Sequence, residues 1–255
     1  MMRCGLLGKT LAHSYSPLIH GLLADYEYRL YEKDETELAD FLRHGDFDGL
    51  NVTIPYKEKV LPFCDALSVT AERLRNVNTL IRRGDGSLFG ENTDEFGFRY
   101  MLKKSGVDPR GKTVLILGRG GAAKTVSFVL EDLDAASLTC YARHGDPPWE
   151  ELSRRDDAQL LVNATPAGMF PDTARSPVDL RFFPRLEAVF DLIYNPPRTL
   201  LLKQSEALGI AAFGGLSMLV AQAKRAAELF TGEAIADERI AEIEAALIER
   251  KEKTT

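Results

Sequence analysis

The stretch from Lys112 to Ala123 constrains this chain more than any other. A largely apolar run, Lys112–Leu117, stops at Gly118-Arg119-Gly120-Gly121-Ala122-Ala123, and helical spacing then continues to about Leu133. Strand, glycine turn and helix in direct succession commit the middle of the chain to a parallel βαβ unit. Gly118 permits the tight turn, Gly120 lets the backbone come close to a pyrophosphate, and the small Ala123 lets the helix pack on its strand. The start of the helix adds unpaired N–H groups and the positive end of a dipole. Gly118, Gly120, Gly121, Ala122 and Ala123 are therefore candidate dinucleotide contacts. The plain alternative is a glycine turn without a ligand, and the further strand expected at Ser137–Tyr141 weighs against it. An NAD site usually carries Asp or Glu at the end of that strand; here Leu138-Thr139-Cys140-Tyr141-Ala142-Arg143 has no acid and ends in arginine. A guanidinium grips phosphate with two prongs, so Arg143 favours the 2′-phosphate of NADP and leaves NAD open. A solvated surface arginine is the alternative.

The same alternation runs through the rest of the chain. Arg3–Leu7, Tyr28–Tyr31, Leu50–Thr53 and Val77–Ile81 read as strands, with helices from near Pro17, at Glu35–Arg43 and at Val69–Leu74. Gly84-Asp85-Gly86 turns the chain into a hairpin strand at Ser87–Gly90. Asp94–Lys104 is helical in spacing and stops at Gly106. Further strands are expected at Leu160–Asn163, Ala188–Ile193 and Ile210–Phe213, and closing helices at about Leu216–Phe230 and Ile235–Glu249. With 255 residues, against about 150 for a typical domain, the economical reading is two α/β lobes joined near residue 94.

Composition narrows the function classes. The net charge is 32 − 38 = −6, with no concentrated basic face to neutralise phosphates, which argues against a nucleic-acid partner. Three scattered cysteines exclude a disulfide scaffold, and four histidines without a C-x-x-C make a metal site unexpected. No apolar run approaches the roughly 20 residues of a membrane helix, and Met1-Met2-Arg3 leads into no export-type segment. A soluble, cytoplasmic protein with a small-molecule ligand is the expectation.

Four further motifs bear on chemistry: His13-Ser14-Tyr15-Ser16-Pro17, Asn51-Val52-Thr53-Ile54-Pro55-Tyr56-Lys57-Glu58, Val77-Asn78-Thr79 followed by Asn92-Thr93-Asp94, and Gly215-Leu216-Ser217-Met218-Leu219-Val220-Ala221-Gln222. Taken in order with the glycine turn, Asn163-Ala164-Thr165-Pro166 and Asp191-Leu192-Ile193-Tyr194, they span nearly the whole chain and resemble the shikimate dehydrogenase family. A lysine beside an aspartate can move a proton as a hydroxyl becomes a carbonyl. The resemblance implies this pair is Lys57 and Asp94, with lysine as acid/base and aspartate holding both it and a substrate hydroxyl. Alone, Lys57 would be an exposed lysine and Asp94 a helix cap. The resemblance further implies that Ser14 and Ser16 cradle a carboxylate, although Ser16 also suits a helix cap. It implies that Asn51, Thr53, Asn78 and Gln222 bond carboxylate and ring hydroxyls, and that Tyr194 sits at the junction of substrate and nicotinamide. Thr165 and Gly215 join the cofactor contacts.

The implied fold is an N-terminal α/β substrate-binding domain, residues 1–93 completed by returning helices in 216–255, plus a Rossmann-like NADP-binding domain at 94–215. The implied reaction is reversible NADPH-dependent reduction of 3-dehydroshikimate to shikimate, by a monomer or homodimer. A dual quinate/shikimate dehydrogenase and a non-catalytic nucleotide-binding homologue are the alternatives. Ser16, where quinate-preferring relatives can carry threonine, leans toward shikimate. The chain departs from the family after Tyr141, where a longer basic clamp is usual and only Arg143 is kept. Pro147-Pro148 and the short distance to Leu160 also predict a missing or truncated crossover helix there. Tyr100-Met101-Leu102-Lys103-Lys104 has the Tyr-x-x-x-Lys spacing of other dehydrogenases, but it precedes the glycine turn and reads as a surface helix.

Overall fold

A computed structural model describes residues 1–11, 14–143 and 147–252. The chain divides into two compact units, Met1–Gly97 with Val220–Thr255, and Phe98–Leu219.

The first unit is built on a six-stranded sheet. It contains β1 (Arg3–Gly8), α1 (Ser16–Leu23), β2 (Glu27–Glu32), α2 (Glu35–His44), β3 (Gly49–Val52), β4 (Ala66–Leu67), α3 (Val69–Leu74), β5 (Thr79–Arg82) and β6 (Leu88–Glu91). The strand order is β2-β1-β3-β5-β6-β4. β1 pairs in parallel with β2 and β3, whereas β5 runs antiparallel to both β3 and β6, so the first strand of the expected hairpin is the one strand of the sheet that runs against the rest. α2 starts where the sequence dictates. Asp34 accepts from the backbone of Glu37, and Glu37 returns the bond, a reciprocal cap that satisfies two otherwise orphaned N–H groups. Leu7, Leu38, Leu42, Leu50 and Val52 close one core face with Phe47 and Tyr56. The last helix, α8 in chain order (Glu238–Glu252), lies against α1, where Arg239 donates to the Leu22 carbonyl at 2.7 Å. The expected return of the C-terminal helices to the first unit is thus observed.

Between these parts of the first unit the chain runs through α4 (Asp94–Ser105), β7 (Thr113–Leu117), α5 (Gly121–Asp132), β8 (Ser137–Tyr141), β9 (Leu160–Asn163), β10 (Ala188–Asp191), α6 (Leu200–Ala207), β11 (Ala211–Gly214) and α7 (Leu216–Thr231). The second sheet is wholly parallel in the order β11-β10-β9-β7-β8. Val114 and Ile116 of β7 pack with α4 and α5 on one face, and Leu115 and Leu117 pack with Leu152, Leu201 and Leu202 on the other. Both faces are covered, which is why the strand reads as a continuous apolar run. Strand order reverses between β7 and β9, the switch point at which open parallel sheets bind ligands.

Among the described residues, the crossover from β8 to β9 carries one helical stretch, the 3-10 helix Trp149–Arg154, as the expected truncation requires. Several expectations need correcting. The strand placed at Val77–Ile81 begins only at Thr79, and the last helix begins at Glu238 instead of Ile235. Helix α6 has no counterpart in the sequence pattern. Its three leucines follow Pro196-Pro197-Arg198-Thr199, but Thr199 accepts from the Leu202 N–H and so caps a helix at once. Among the described residues no helix is long and apolar enough to cross a membrane.

Candidate active site

In the first unit the polar candidates converge at the ends of β3, β5 and β6. Lys57 follows β3 on a turn fixed by its neighbours: Tyr56 is fully buried and donates to the Lys33 carbonyl, while the Lys57 carbonyl accepts from Val77 at 2.9 Å. Lys57 Nζ then reaches Asp94 Oδ2 at 2.5 Å, with the two side chains 19% and 10% exposed. A lysine so far out of water is uncommon unless paired. Asp94 lies in the first turn of α4, and its second oxygen, Oδ1, accepts from Asn78 Nδ2 at 2.9 Å. Both oxygens are therefore engaged, and the aspartate is held from two sides.

The Asn78 amide organises the next layer. Its Nδ2 also lies 3.1 Å from Thr93 Oγ1, and its Oδ1 accepts from the Thr93 backbone at 2.7 Å. Thr79 Oγ1 donates to Asn78 Oδ1 at 3.1 Å and accepts from Asn51 Nδ2 at 3.3 Å. Gln222, on α7, stands 3.4 Å from Thr93 Oγ1 through its Oε1. Asn51, Asn78, Asp94, Lys57 and Gln222 thus form one connected set, joined through Thr79 and Thr93. Those two threonines lie inside the quoted motifs without standing out, because a buried threonine beside an asparagine reads as strand core.

Asn51 has a second support that the sequence does not disclose. Tyr28 donates its hydroxyl to Asn51 Oδ1 at 2.7 Å and is bonded to Ser16, and burial pushes that phenol well above its ordinary range. His20 stacks on Tyr28 with ring centroids 4.0 Å apart. Desolvation pushes His20 down to about 3, so the ring is neutral, with Nδ1 2.5 Å from the Tyr26 hydroxyl. Ser16 is buried within the first turn of α1 and is not its cap; that position falls to Tyr15. Ser14 Oγ accepts from the Ser16 N–H at 3.2 Å, and Thr53 donates its backbone N–H to Leu7 at the end of β1. His13 lies outside the described residues.

The second unit holds the remaining candidates. Gly118 follows β7 with φ +117°, a conformation closed to side chains, and an added Cβ would lie 3.0 Å from the Ala164 carbonyl across the switch point. Gly120 precedes α5, and a Cβ there would meet nothing within 4 Å, so the space above the helix start is open to a ligand. Gly121 and Ala122 form the first turn, and Ala123 is buried against Val114 and Ile116. Thr165 makes two bonds to Asn163 Oδ1, from its backbone at 3.0 Å and its hydroxyl at 2.7 Å. Beside it opens a cavity of about 530 Å³ lined by Gly118, Arg143, Trp149, Thr165, Arg175 and Ser176, among others. A passage of this size, with a bare glycine backbone at one end and guanidinium groups in its wall, fits the adenosine side of a dinucleotide. Tyr194 follows β10 and is half-buried. Gly215 donates to the Ile193 carbonyl, and a Cβ there would stand 2.1 Å from the Leu192 carbonyl, so close backbone packing requires a glycine. Tyr194 and Gly215 belong to the second unit, whereas the set around Lys57 belongs to the first.

A paired lysine able to exchange a proton with a hydroxyl, in a chain whose other unit is opened for a dinucleotide, marks the class: a nicotinamide-dependent dehydrogenase. Comparison with known proteins agrees. The shikimate dehydrogenase substrate binding domain matches residues 6–80. The NADP(+) shikimate dehydrogenase of Syntrophomonas wolfei is 37% identical over 90% of this chain and 89% of its own. A chorismate mutase/shikimate 5-dehydrogenase fusion protein from Clostridium acetobutylicum superimposes with a TM-score of 0.92 at 34% identity, covering 98% of each chain. Shikimate 5-dehydrogenase of Thermus thermophilus, solved with NADP(H) and shikimate, gives 0.85 at 32% identity, covering 96% of this chain and 99% of that one. The chain belongs to the shikimate dehydrogenase family.

Proposed function

We propose that this protein catalyses the reversible NADPH-dependent reduction of 3-dehydroshikimate to shikimate, as a cytoplasmic monomer or homodimer. Residues 1–93 and 216–255 serve as the substrate domain and 94–215 as the NADP domain. The observation that carries the reading is the Lys57–Asp94 pair inside the amide and hydroxyl network of Asn51, Asn78 and Gln222.

When bound, the nicotinamide supplies the hydride that the substrate's carbonyl carbon accepts. The chain's own task is the accompanying proton. Lys57, as an ammonium, donates from Nζ to the carbonyl oxygen while the C–O double bond opens, and so leaves a hydroxyl; in the oxidative direction the neutral amine takes that proton back. Asp94 fixes Nζ through Oδ2, and Asn78 keeps the carboxylate from rotating away. Asn51, Thr53 and Gln222 present groups for the substrate's hydroxyls, while Ser14 and Ser16 offer hydroxyl donors for its carboxylate. A site built for hydroxyls rejects analogues lacking them, because its own buried groups are then left unpaired.

The test is Lys57→Ala, assayed with shikimate and each nicotinamide cofactor. The expected result is a fall in kcat of roughly 10²–10⁴-fold, the size of one acid/base contribution, with shikimate affinity changed far less. Near-normal turnover would remove Lys57 from the role. Wild-type protein that binds shikimate but turns over neither cofactor would favour the non-catalytic alternative.

A further inference from the structure

The cavity beside Gly118 contains two arginines where the sequence offered one. Arg143 enters it from the end of β8, and Arg175 enters from the loop that follows β9 and Thr165. Among the described residues the lining includes no carboxylate. An NAD site places an acid there to hold the ribose 2′-hydroxyl; a pair of guanidinium groups suits a doubly charged phosphate instead.

The loop fixes the backbone on which Arg175 stands. Gly168 has φ +96°, and a Cβ there would lie 2.9 Å from the Arg175 carbonyl, so the loop folds back on itself at that residue. Met169 donates to the Pro166 carbonyl, and Ser176 Oγ donates to Val178, which closes the segment on either side. Asp172 Oδ2 takes the Arg175 Nε at 2.8 Å. Both side chains of this pair are exposed, at 66% and 57%, and the pair engages one edge of the guanidinium.

We propose that Arg175 is the second cation of the cofactor's 2′-phosphate site and is a specificity-determining residue for NADP over NAD. It would replace the basic residue missing downstream of Arg143, so that the clamp is assembled from two loops instead of one. The inference rests on the reading of the cavity as the adenosine end of the NADP site.

The experiment measures binding rather than turnover. The full-length chain is titrated with adenosine 2′,5′-bisphosphate, NADP and NAD by calorimetry. The fluorescence of Trp149, the protein's single tryptophan and part of the same wall, serves as an independent reporter. Arg175→Ala should weaken the bisphosphate and NADP by roughly tenfold or more, the scale of one charge-assisted hydrogen bond, and leave NAD within about twofold. Arg143→Ala should do the same. Unchanged NADP affinity in Arg175→Ala beside a loss in Arg143→Ala overturns the inference. An equal loss for NAD and NADP also overturns it, because Arg175 would then merely build the loop. Absence of shikimate turnover would remove the proposed function but not this one, since the bisphosphate titration still decides whether Arg175 reads the phosphate.

Discussion

Asp191, at the C-terminal end of β10, is a fully buried carboxylate with three donors around it: Asn163 Nδ2 at 3.0 Å, the Ile193 N–H at 3.1 Å and the Thr199 hydroxyl at 2.6 Å. Burial outweighs those bonds and pushes the acid up to about 6. The folded state therefore holds this proton more tightly than the unfolded chain, so the stabilisation is complete below the ordinary value of 3.8 and is lost as pH rises through about 6. A proton held that much more tightly corresponds to a loss on the order of 3 kcal/mol. Asp191→Asn retains an acceptor for Asn163 and Ile193 and removes the titration. Its melting temperature, compared with wild type between about pH 4 and pH 6.5, should gain several degrees on the wild type as pH rises. Parallel curves would show that the proton is not bound there. Nothing in the motif around Asp191 announced this behaviour, because it comes from burial by distant elements. Lys57 and Asp94 were legible because their neighbours in sequence form ordered motifs. Tyr28 and Arg175 were not, since what each does depends on a residue more than 20 positions away that no local pattern connects to it.

At the scale of elements, the strand–glycine–helix unit was the most legible part of the fold, because a tight turn between two apolar runs leaves few alternatives. Gly118 carries that turn. Gly118→Ala would place a side chain at φ +117° and against the Ala164 backbone, neither of which can give way cheaply. The expected cost is about 1–3 kcal/mol, the range for a residue held in a glycine-only conformation. Thermal unfolding should fall by several degrees, and nucleotide affinity, followed through Trp149, should fall as well. A variant with wild-type stability and binding would mean the turn is not tied to the Ala164 segment. Helix α6 marks the opposite case. A run of leucines after two prolines carries no period, and only the Thr199 cap, itself bonded to buried Asp191, makes a helix the better choice. The crossover through Trp149–Arg154 lies between these cases: proline and chain length excluded a long helix, but not the 3-10 form it takes.

The chain as a whole builds its first unit from both ends, and only the motif ending at Gln222 hinted at it; composition and periodicity were silent. The C-terminal part covers the β1–α1 side. Ala226, Ala227 and Phe230 of α7 pack with Cys4 and Tyr26, and Ile240, Ile243 and Leu247 of α8 are buried. Between the two helices, Lys224 is nearly buried and bonds Glu228 and Asp237, both at 2.9 Å, which fixes how α8 returns. A chain ended after Gly232 keeps Lys57, Asp94 and Gln222 but loses α8. Burying Ile240, Ile243 and Leu247 contributes roughly 1.5–3 kcal/mol for each side chain, and the sum approaches the roughly 5–15 kcal/mol by which a whole domain is stable. Removal also strips Lys224 of one acid and leaves it half-compensated in an apolar setting. The truncated protein should therefore lose shikimate binding although every proposed substrate contact is present, and it should expose apolar surface detectable by dye binding. Shikimate affinity equal to that of the full chain would show that α8 is dispensable to the unit that holds the site.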